Sequence, residues 1–222
     1  MDHELYAGID CGATKVLVHS VIVDSKTKIL SPGKIYKEYL YSDHPDWNKD
    51  FSPIPIDIQI DEYKNKNVTI RESENIQSNV IIKTIQLGLT QIKGFKIGLC
   101  FPGIKNKNDI VVLSNGPRII NLNKNINFFD TIQNDSNCCL IGEWKSTIGK
   151  MKNINKGVYI GGGTGIADGI ILNDKIVDFN NHPENIKRSW ELLLPSGESV
   201  ESWLSPAGMI KKYNLIYDKN IR

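Results

Sequence analysis

Two glycine-bearing turns, each set behind a run of strand-forming residues, constrain this chain more than any other feature. They are Gly8-Ile9-Asp10-Cys11-Gly12-Ala13-Thr14-Lys15 near the start and Gly161-Gly162-Gly163-Thr164-Gly165 far downstream. Leu5 to Ile9 and Val16 to Val23 are strand-like runs on either side of the first turn, which therefore reads as the outward loop of a β-hairpin. Val158-Tyr159-Ile160 and Gly169-Ile170-Ile171-Leu172 flank the second. Asn173-Asp174 and Lys175-Ile176-Val177 then read as a two-residue turn and another strand. Two sheets thus begin alike, and backbone N–H groups at such turns suit a phosphate.

Between the turns, Ile76, Val80, Ile81, Ile85, Leu89 and Ile92 recur at spacings of three and four. This predicts an amphipathic helix over 72–92 whose stripe faces a sheet. Phe95 to Phe101 reads as a buried strand ended by Pro102-Gly103, and Ile110 to Leu113 as another, which makes a βαβ element of an α/β domain. His44-Pro45, Ser52-Pro53 and Ile54-Pro55 mark 43–60 as an irregular excursion. Cys138 to Thr147 reads as a helix ended by Gly149, and Glu198 to Tyr213 as a final helix with Trp203 and Leu204 inward.

With 222 residues and 40% hydrophobic content, the chain can bury a core as one large domain or two small ones. Its 27 Lys and Arg against 25 Asp and Glu, with no basic block, argue against nucleic acid or an anionic membrane as the main partner. No apolar run reaches the roughly 18 residues of a membrane span, and acids stand where a secretory leader carries positive charge, so a cytoplasmic location is expected. Cys11, Cys100, Cys138 and Cys139 lack metal-ligand spacing and read as buried free thiols in a reducing compartment.

Within this frame the candidate groups divide by chemistry. Asp10 suits magnesium, a hard cation that keeps waters; a carboxylate closing a turn has the same spacing. Gly12, Thr14 and Lys15 can supply N–H groups, a hydroxyl and a positive charge to phosphates, although Lys15 also fits a solvated strand position. Gly162, Gly163, Thr164 and Gly165 offer a second such set, with a plain hairpin turn as the alternative. Asp135, in Asn134-Asp135-Ser136, stands at a helix start. Helix-terminal N–H groups there would cap the helix and also hold a carboxylate ionised, as a general base needs.

Gly8 to Lys15, Phe101-Pro102-Gly103, Asn134 to Cys139 with Gly142-Glu143, and Gly163 to Ile166 with Gly169 to Asn173 occur in an order that resembles the ROK family of sugar kinases and sugar-responsive repressors. The resemblance covers roughly residues 5 to 177. It implies an α/β, ribonuclease H-like (actin-like ATPase) fold with two domains around a cleft, residues 1–134 and 135–222, the second incomplete. It further implies ATP-dependent phosphorylation of a hexose or amino-sugar hydroxyl, with Asp135 as base, Asp10 holding Mg2+ or its water, and both loops on the ATP phosphates. Asn115 and Asn134 fall where sugar contacts are expected; Asn115 in Ser114-Asn115-Gly116-Pro117 also fits a turn, and Asn134 a helix-preceding turn.

The chain departs from that family in several places. No cysteine lies within 178–205, so structural zinc is not expected. The family's sugar-binding glutamate has only Glu191 as a counterpart, with His182 isolated. Asp168 stands where a small residue is usual, and its charge would repel phosphates unless it joined the metal. No further glycine-rich strand-turn-helix to seat adenosine follows Gly165, which reads as a truncated kinase or a catalytically impaired sugar-binding or regulatory protein. An incomplete sheet would also leave an edge open for a homo-oligomer.

Overall fold

In the computed structural model, residues 5–107, 109–126, 132–163, 165–179 and 186–221 are described. The chain divides into two compact units, Met1–Asp135 and Ser136–Arg222.

Unit 1 opens with β1 (Tyr6–Cys11), β2 (Lys15–Val23) and β3 (Leu30–Leu40), an antiparallel meander in which Asp10 faces Leu17 and Cys11 faces Val16. Alternation dictates the burial: Ala7, Ile9 and Cys11 of β1 turn inward, as do Val16 and Val18 of β2. A 3-10 turn at Tyr41–Asp43 follows, then α1 (Ile56–Lys64) and α2 (Glu72–Leu89), with a 3-10 turn at Thr90–Ile92. The α2 stripe Val80, Ile81, Ile85 and Leu89 packs with Ile9, Val16, Val18, Leu99 and Phe101 in one apolar core. The helix approaches β2 so closely that a Cβ on Gly88 would lie 2.8 Å from Val18 Cγ2, and only glycine fits there without movement.

β4 (Lys96–Phe101) returns parallel to β1, placing Cys100 beside Asp10. Gly103, at φ +86°, turns the chain so tightly that a Cβ would meet Val112 O at 2.1 Å. The hairpin β5 (Ile104–Asn106) and β6 (Asp109–Val112) follows, then α3 (Leu122–Asn125), β7 (Gln133–Asn134) and α4 (Asp135–Lys145). The sheet order is β3-β2-β1-β4-β7, with β4 and β7 parallel to β1.

Unit 2 holds β8 (Lys156–Gly162), β9 (Ile166–Leu172) and β10 (Lys175–Ile176), antiparallel in the order β10-β9-β8, and then α5 (Val200–Leu204) and α6 (Pro206–Tyr217). Leu140 of α4 packs on β9, where a Cβ on Gly169 would meet its side chain at 3.1 Å.

Two expectations need correction. The excursion at 43–60 is not wholly irregular: α1 begins at Ile56 behind Pro55, because a proline at a helix entrance loses no hydrogen bond and presets φ. The final segment is two helices, broken where Ser205 caps α6 by accepting the Gly208 N–H at 3.2 Å and Pro206 starts it. Trp203 and Leu204, expected inward, are 37% and 53% exposed, and the Trp203 Nε1–H donates to Glu198 Oε2 at 2.8 Å. Among the described residues, no helix is long and apolar enough to cross a membrane.

Candidate functional site

The parallel strands of unit 1 end together, and their C-terminal edge collects most of that unit's candidate groups. Asp10 pairs in register with Cys100, Cys100 with Gln133 and Phe101 with Asn134, so Asp10 and Gln133 sit across two strand spacings, about 10 Å. Asn134 ends β7, half-buried, and Asp135, also half-buried, is the first residue of α4. The β5–β6 hairpin that carries the chain toward Asn115 leaves from the end of β4. In open α/β sheets this edge is where ligands gather, because helix N-termini and loop N–H groups converge there.

Asp10 is exposed, and its Oδ1 accepts a hydrogen bond from Cys100 Sγ at 3.3 Å. Burial, and then the Asp10 charge, push the neighbouring Cys11 thiol well above its ordinary pKa, so Cys11 stays neutral. The first loop is held from behind. Gly12 N–H donates to Lys15 O at 2.9 Å, Tyr41 N–H to Thr14 O at 3.0 Å, and Tyr41 Oη to Gly12 O at 3.1 Å. Tyr41 is fully buried and stacked on Trp47, and burial raises its pKa well above the usual tyrosine value. The carbonyls of Gly12 and Thr14 are thereby turned into the fold. The Ala13 and Thr14 N–H groups carry no bond among the described residues, and both residues are exposed.

Lys15 lies on β2, where its Nζ donates to Glu38 Oε2 of β3 at 2.7 Å. That hydrogen bond and charge raise the Lys15 pKa. The pair is half-exposed and so worth little, which leaves the lysine free to exchange partners at small cost.

The second loop separates into two kinds of glycine. Gly161 and Gly165 lie under side-chain tips: a Cβ would come within 2.6 Å of Tyr159 Oη at the first and 2.3 Å of Glu201 Oε1 at the second, so a larger residue would push those tips aside. At Gly162 and Gly163 a Cβ would meet nothing within 4 Å, so the space over them is open. Among the described residues the left-handed glycines are Gly94, Gly103 and Gly197. The Gly163 N–H donates to Gly165 O at 2.9 Å, closing a hairpin turn, and Thr164 lies outside the described residues. Glu201 of α5 accepts the Ile166 N–H at 2.9 Å. This carboxylate at the loop was missed in the sequence because α5 lies 35 residues further on.

Asp168 was expected to repel phosphates or bind metal. The residue is 8% exposed and its carboxylate is paired within unit 2, Oδ1 accepting from Arg188 Nη1 at 3.1 Å and Oδ2 from Ser189 N–H at 2.6 Å. Glu191 is exposed and closes a local turn, its Oε2 accepting the Arg188 N–H at 2.9 Å. Asn115 is exposed at the tip of a turn with φ 62°, a conformation asparagine tolerates better than other residues with a side chain. His182 lies outside the described residues.

Among the described residues no three His, Cys, Asp or Glu side chains converge as a metal cage. The donor set at Asp10 is a single accessible carboxylate. That fits magnesium, which takes one or two carboxylates and completes its shell with water and substrate phosphates.

No family model matches the sequence, and no curated protein matches it. Solved structures do. The chain is similar to the inorganic polyphosphate/ATP-glucomannokinase of Arthrobacter sp. strain KM (15% identity, TM-score 0.59, 95% of this chain and 72% of that one). It is also similar to the glucokinase of Parabacteroides distasonis (14% identity, TM-score 0.58, 100% and 59%). A ROK family transcriptional regulator, a homologue of the E. coli MLC protein, aligns at 12% identity with TM-score 0.55, over 100% and 52%. At such identities the likeness establishes the fold: an α/β fold of the actin-like ATPase type, shared with ROK sugar kinases and a ROK regulator. The chain spans between about half and three quarters of the length of these proteins.

Proposed function

We propose that this chain takes part in ATP-dependent phosphorylation of a hexose or amino-sugar hydroxyl, with residues 1–134 and 135–222 as its two domains. One observation carries the reading: Asp10 and Asp135 stand at the same C-terminal edge of parallel strands, one exposed near the end of β1 and the other opening a helix. Phosphoryl transfer needs alignment and neutralisation of charge more than covalent chemistry. Thr14, Lys15 and the first-loop N–H groups suit the phosphates, and the open space at Gly162 and Gly163 suits a second phosphate contact. Asp10 would hold Mg2+, which supplies charge compensation on the phosphates when bound. At the N-terminus of α4 the helix dipole favours ionised Asp135, which accepts the proton of the sugar hydroxyl, while Asn134 and Asn115 orient the sugar.

Incubation with ATP, Mg2+ and a panel of hexoses and amino sugars tests the reading. Transfer to one sugar is expected, with kcat reduced about 10²- to 10⁴-fold in Asp135→Asn while its melting temperature holds. ATP hydrolysis with no sugar dependence would overturn it. A second reading, a sugar-binding or regulatory protein with impaired catalysis, is favoured by Glu201 at the second loop, where a carboxylate opposes a phosphate. Tight sugar binding with no transfer distinguishes it.

A further inference from the structure

The excursion between β3 and α2 is anchored by buried polar groups, an unusual way to secure a surface segment. Gln59 of α1 is 0% exposed, and its side chain makes three bonds. Nε2 donates to Ile54 O at 2.7 Å and to Leu113 O at 3.1 Å, and Oε1 accepts the Leu113 N–H at 2.8 Å. Arg118 is also 0% exposed. Its Nε donates to Glu74 Oε1 at 2.9 Å, and its Nη2 to Glu74 Oε2 at 2.8 Å and to Thr69 O at 2.9 Å. Its Nη1 pairs with Glu62 of α1, and its own N–H donates to Glu74 Oε1 at 3.3 Å. Gln77 of α2 ties the excursion again, accepting the Asn48 N–H at 3.1 Å and donating to Asn48 O at 3.2 Å.

Leu113 and Arg118 are the two ends of one turn, Ser114-Asn115-Gly116-Pro117. Below it, Ile110 and Ile119 exchange backbone hydrogen bonds of 2.8 and 3.0 Å, closing its base. Gly116 sits so tightly on Leu113 that a Cβ would meet Leu113 Cδ2 at 2.8 Å. Everything under the turn is therefore fixed, while Ser114 and Asn115 at the tip are exposed. Burying an arginine, a glutamate and a glutamine, with Glu62 half-buried beside them, is a poor route to stability, because apolar residues of similar volume often do as well or better. A fully satisfied polar network does confer a unique geometry. The geometry it fixes here is the left-handed backbone at Asn115.

We propose that Gln59, backed by the Arg118–Glu74–Glu62 cluster, is a positioning residue that holds the Asn115 turn in a rigid sugar-recognition geometry, so that the excursion at 43–70 acts as a brace for substrate binding. The proposal rests on Asn115 contacting the sugar. Its structural half does not depend on that reading.

Two variants test it. Gln59→Leu keeps side-chain volume and strips all three bonds. Val80→Ala on α2 removes core packing away from the turn and controls for lost stability. With the sugar the wild type phosphorylates, Gln59→Leu is expected to raise KM about tenfold with kcat changed less than twofold, and Val80→Ala to leave KM alone. Equal KM changes in both, or none in Gln59→Leu, would overturn the brace. Amide exchange at Ile110 and Ile119, whose N–H groups close the base of the turn and do not bond Gln59, gives a readout without sugar: about tenfold faster in Gln59→Leu than in Val80→Ala supports positioning, and equal rates refute it. If the wild type handles no sugar, the proposed function fails and exchange alone decides. Should Gln59→Leu not fold, Glu62→Gln loosens Arg118 from the other end, and the same pair of measurements applies.

Discussion

Unit 1 opens with an antiparallel meander and unit 2 carries one after α4, and the two units differ in what they bury. β1, β2 and β3 are continued by parallel β4 and β7, and the large apolar cluster from Ala7 to Ile132 lies wholly in unit 1. Among the described residues of unit 2, the sheet is β10-β9-β8, and the large buried apolar side chains are Leu140, Ile171 and Val177. Val158 and Ile160 of β8 are 57% and 66% exposed, and along α6 Met209, Tyr213, Leu215 and Ile216 are exposed as well. The same local pattern thus yields a packed domain only where parallel strands and an amphipathic helix complete the layer. Free energy of folding should accordingly concentrate in unit 1, and the candidate base at the unit boundary inherits its rigidity from β7.

The sharpest way to break that contrast is to remove one charge from each unit's buried ion pair. Glu74→Ala leaves the Arg118 guanidinium, at 0% exposure, with only part of its partners, and is expected to cost about 3–5 kcal/mol. Asp168→Ala in unit 2 strands the less buried Arg188 and should cost about 1.5–3 kcal/mol, the worth of hydrogen bonds to a charge. Urea midpoints of the two variants rank them, and a larger loss for Asp168→Ala would place the stability in unit 2. A core pair gives the next largest effect. Ile85→Ala, at a position with no exposure, should cost about 2–4 kcal/mol through the cavity it leaves, while Ile160→Ala should stay within about 0.5 kcal/mol. Calorimetric unfolding of both variants checks this, and a large effect at Ile160 would mean that β8 is covered in solution.

Much of unit 1 was legible because its signals are local. The α2 stripe at three-and-four spacing, the alternation of β1 and β2, and the Pro-Gly stop after β4 each follow from neighbouring residues; the strands form within two residues of expectation, and α2 ends at Leu89 with a 3-10 turn carrying the chain on to Ile92. α1 was hidden by its prolines and by a core-facing residue, Gln59, that is not apolar. The site was less legible. Asp10, Asn134 and Asp135 reach one sheet edge, but nothing in sequence spacing signalled that Lys15 would pair with Glu38 across β2 and β3, or that Glu201 would lie against Gly165. A run of glycines looks the same whether it makes room for a ligand or for a neighbouring side chain. Only packing separates Gly162 and Gly163 from Gly161 and Gly165.

Acid should separate the units by a smaller margin. The Arg118 hydrogen bond lowers the Glu62 pKa, and at Glu74 burial alone would raise it but the bonds from Arg118 and the Arg71 N–H prevail and lower it. A depressed folded-state pKa adds stability that is fully present above the unfolded value, about 4.3 for glutamate, and is lost as pH falls through the folded pKa. Unit 1 should therefore hold its melting temperature from pH 7 to about pH 5 and lose it progressively below about 4.3. Unit 2 also carries a glutamate of lowered pKa, Glu198, held by Lys212 and Trp203, but that group is exposed and contributes little. The acid effect should be smaller than Glu74→Ala, because a protonated carboxyl keeps its volume and still accepts a hydrogen bond. Trp47 is the single tryptophan of unit 1, so its fluorescence in a variant with Trp144, Trp190 and Trp203 replaced by Phe reports that unit alone. An acid transition at Trp47 that persists unchanged in Arg118→Met would show that the buried cluster is not its source.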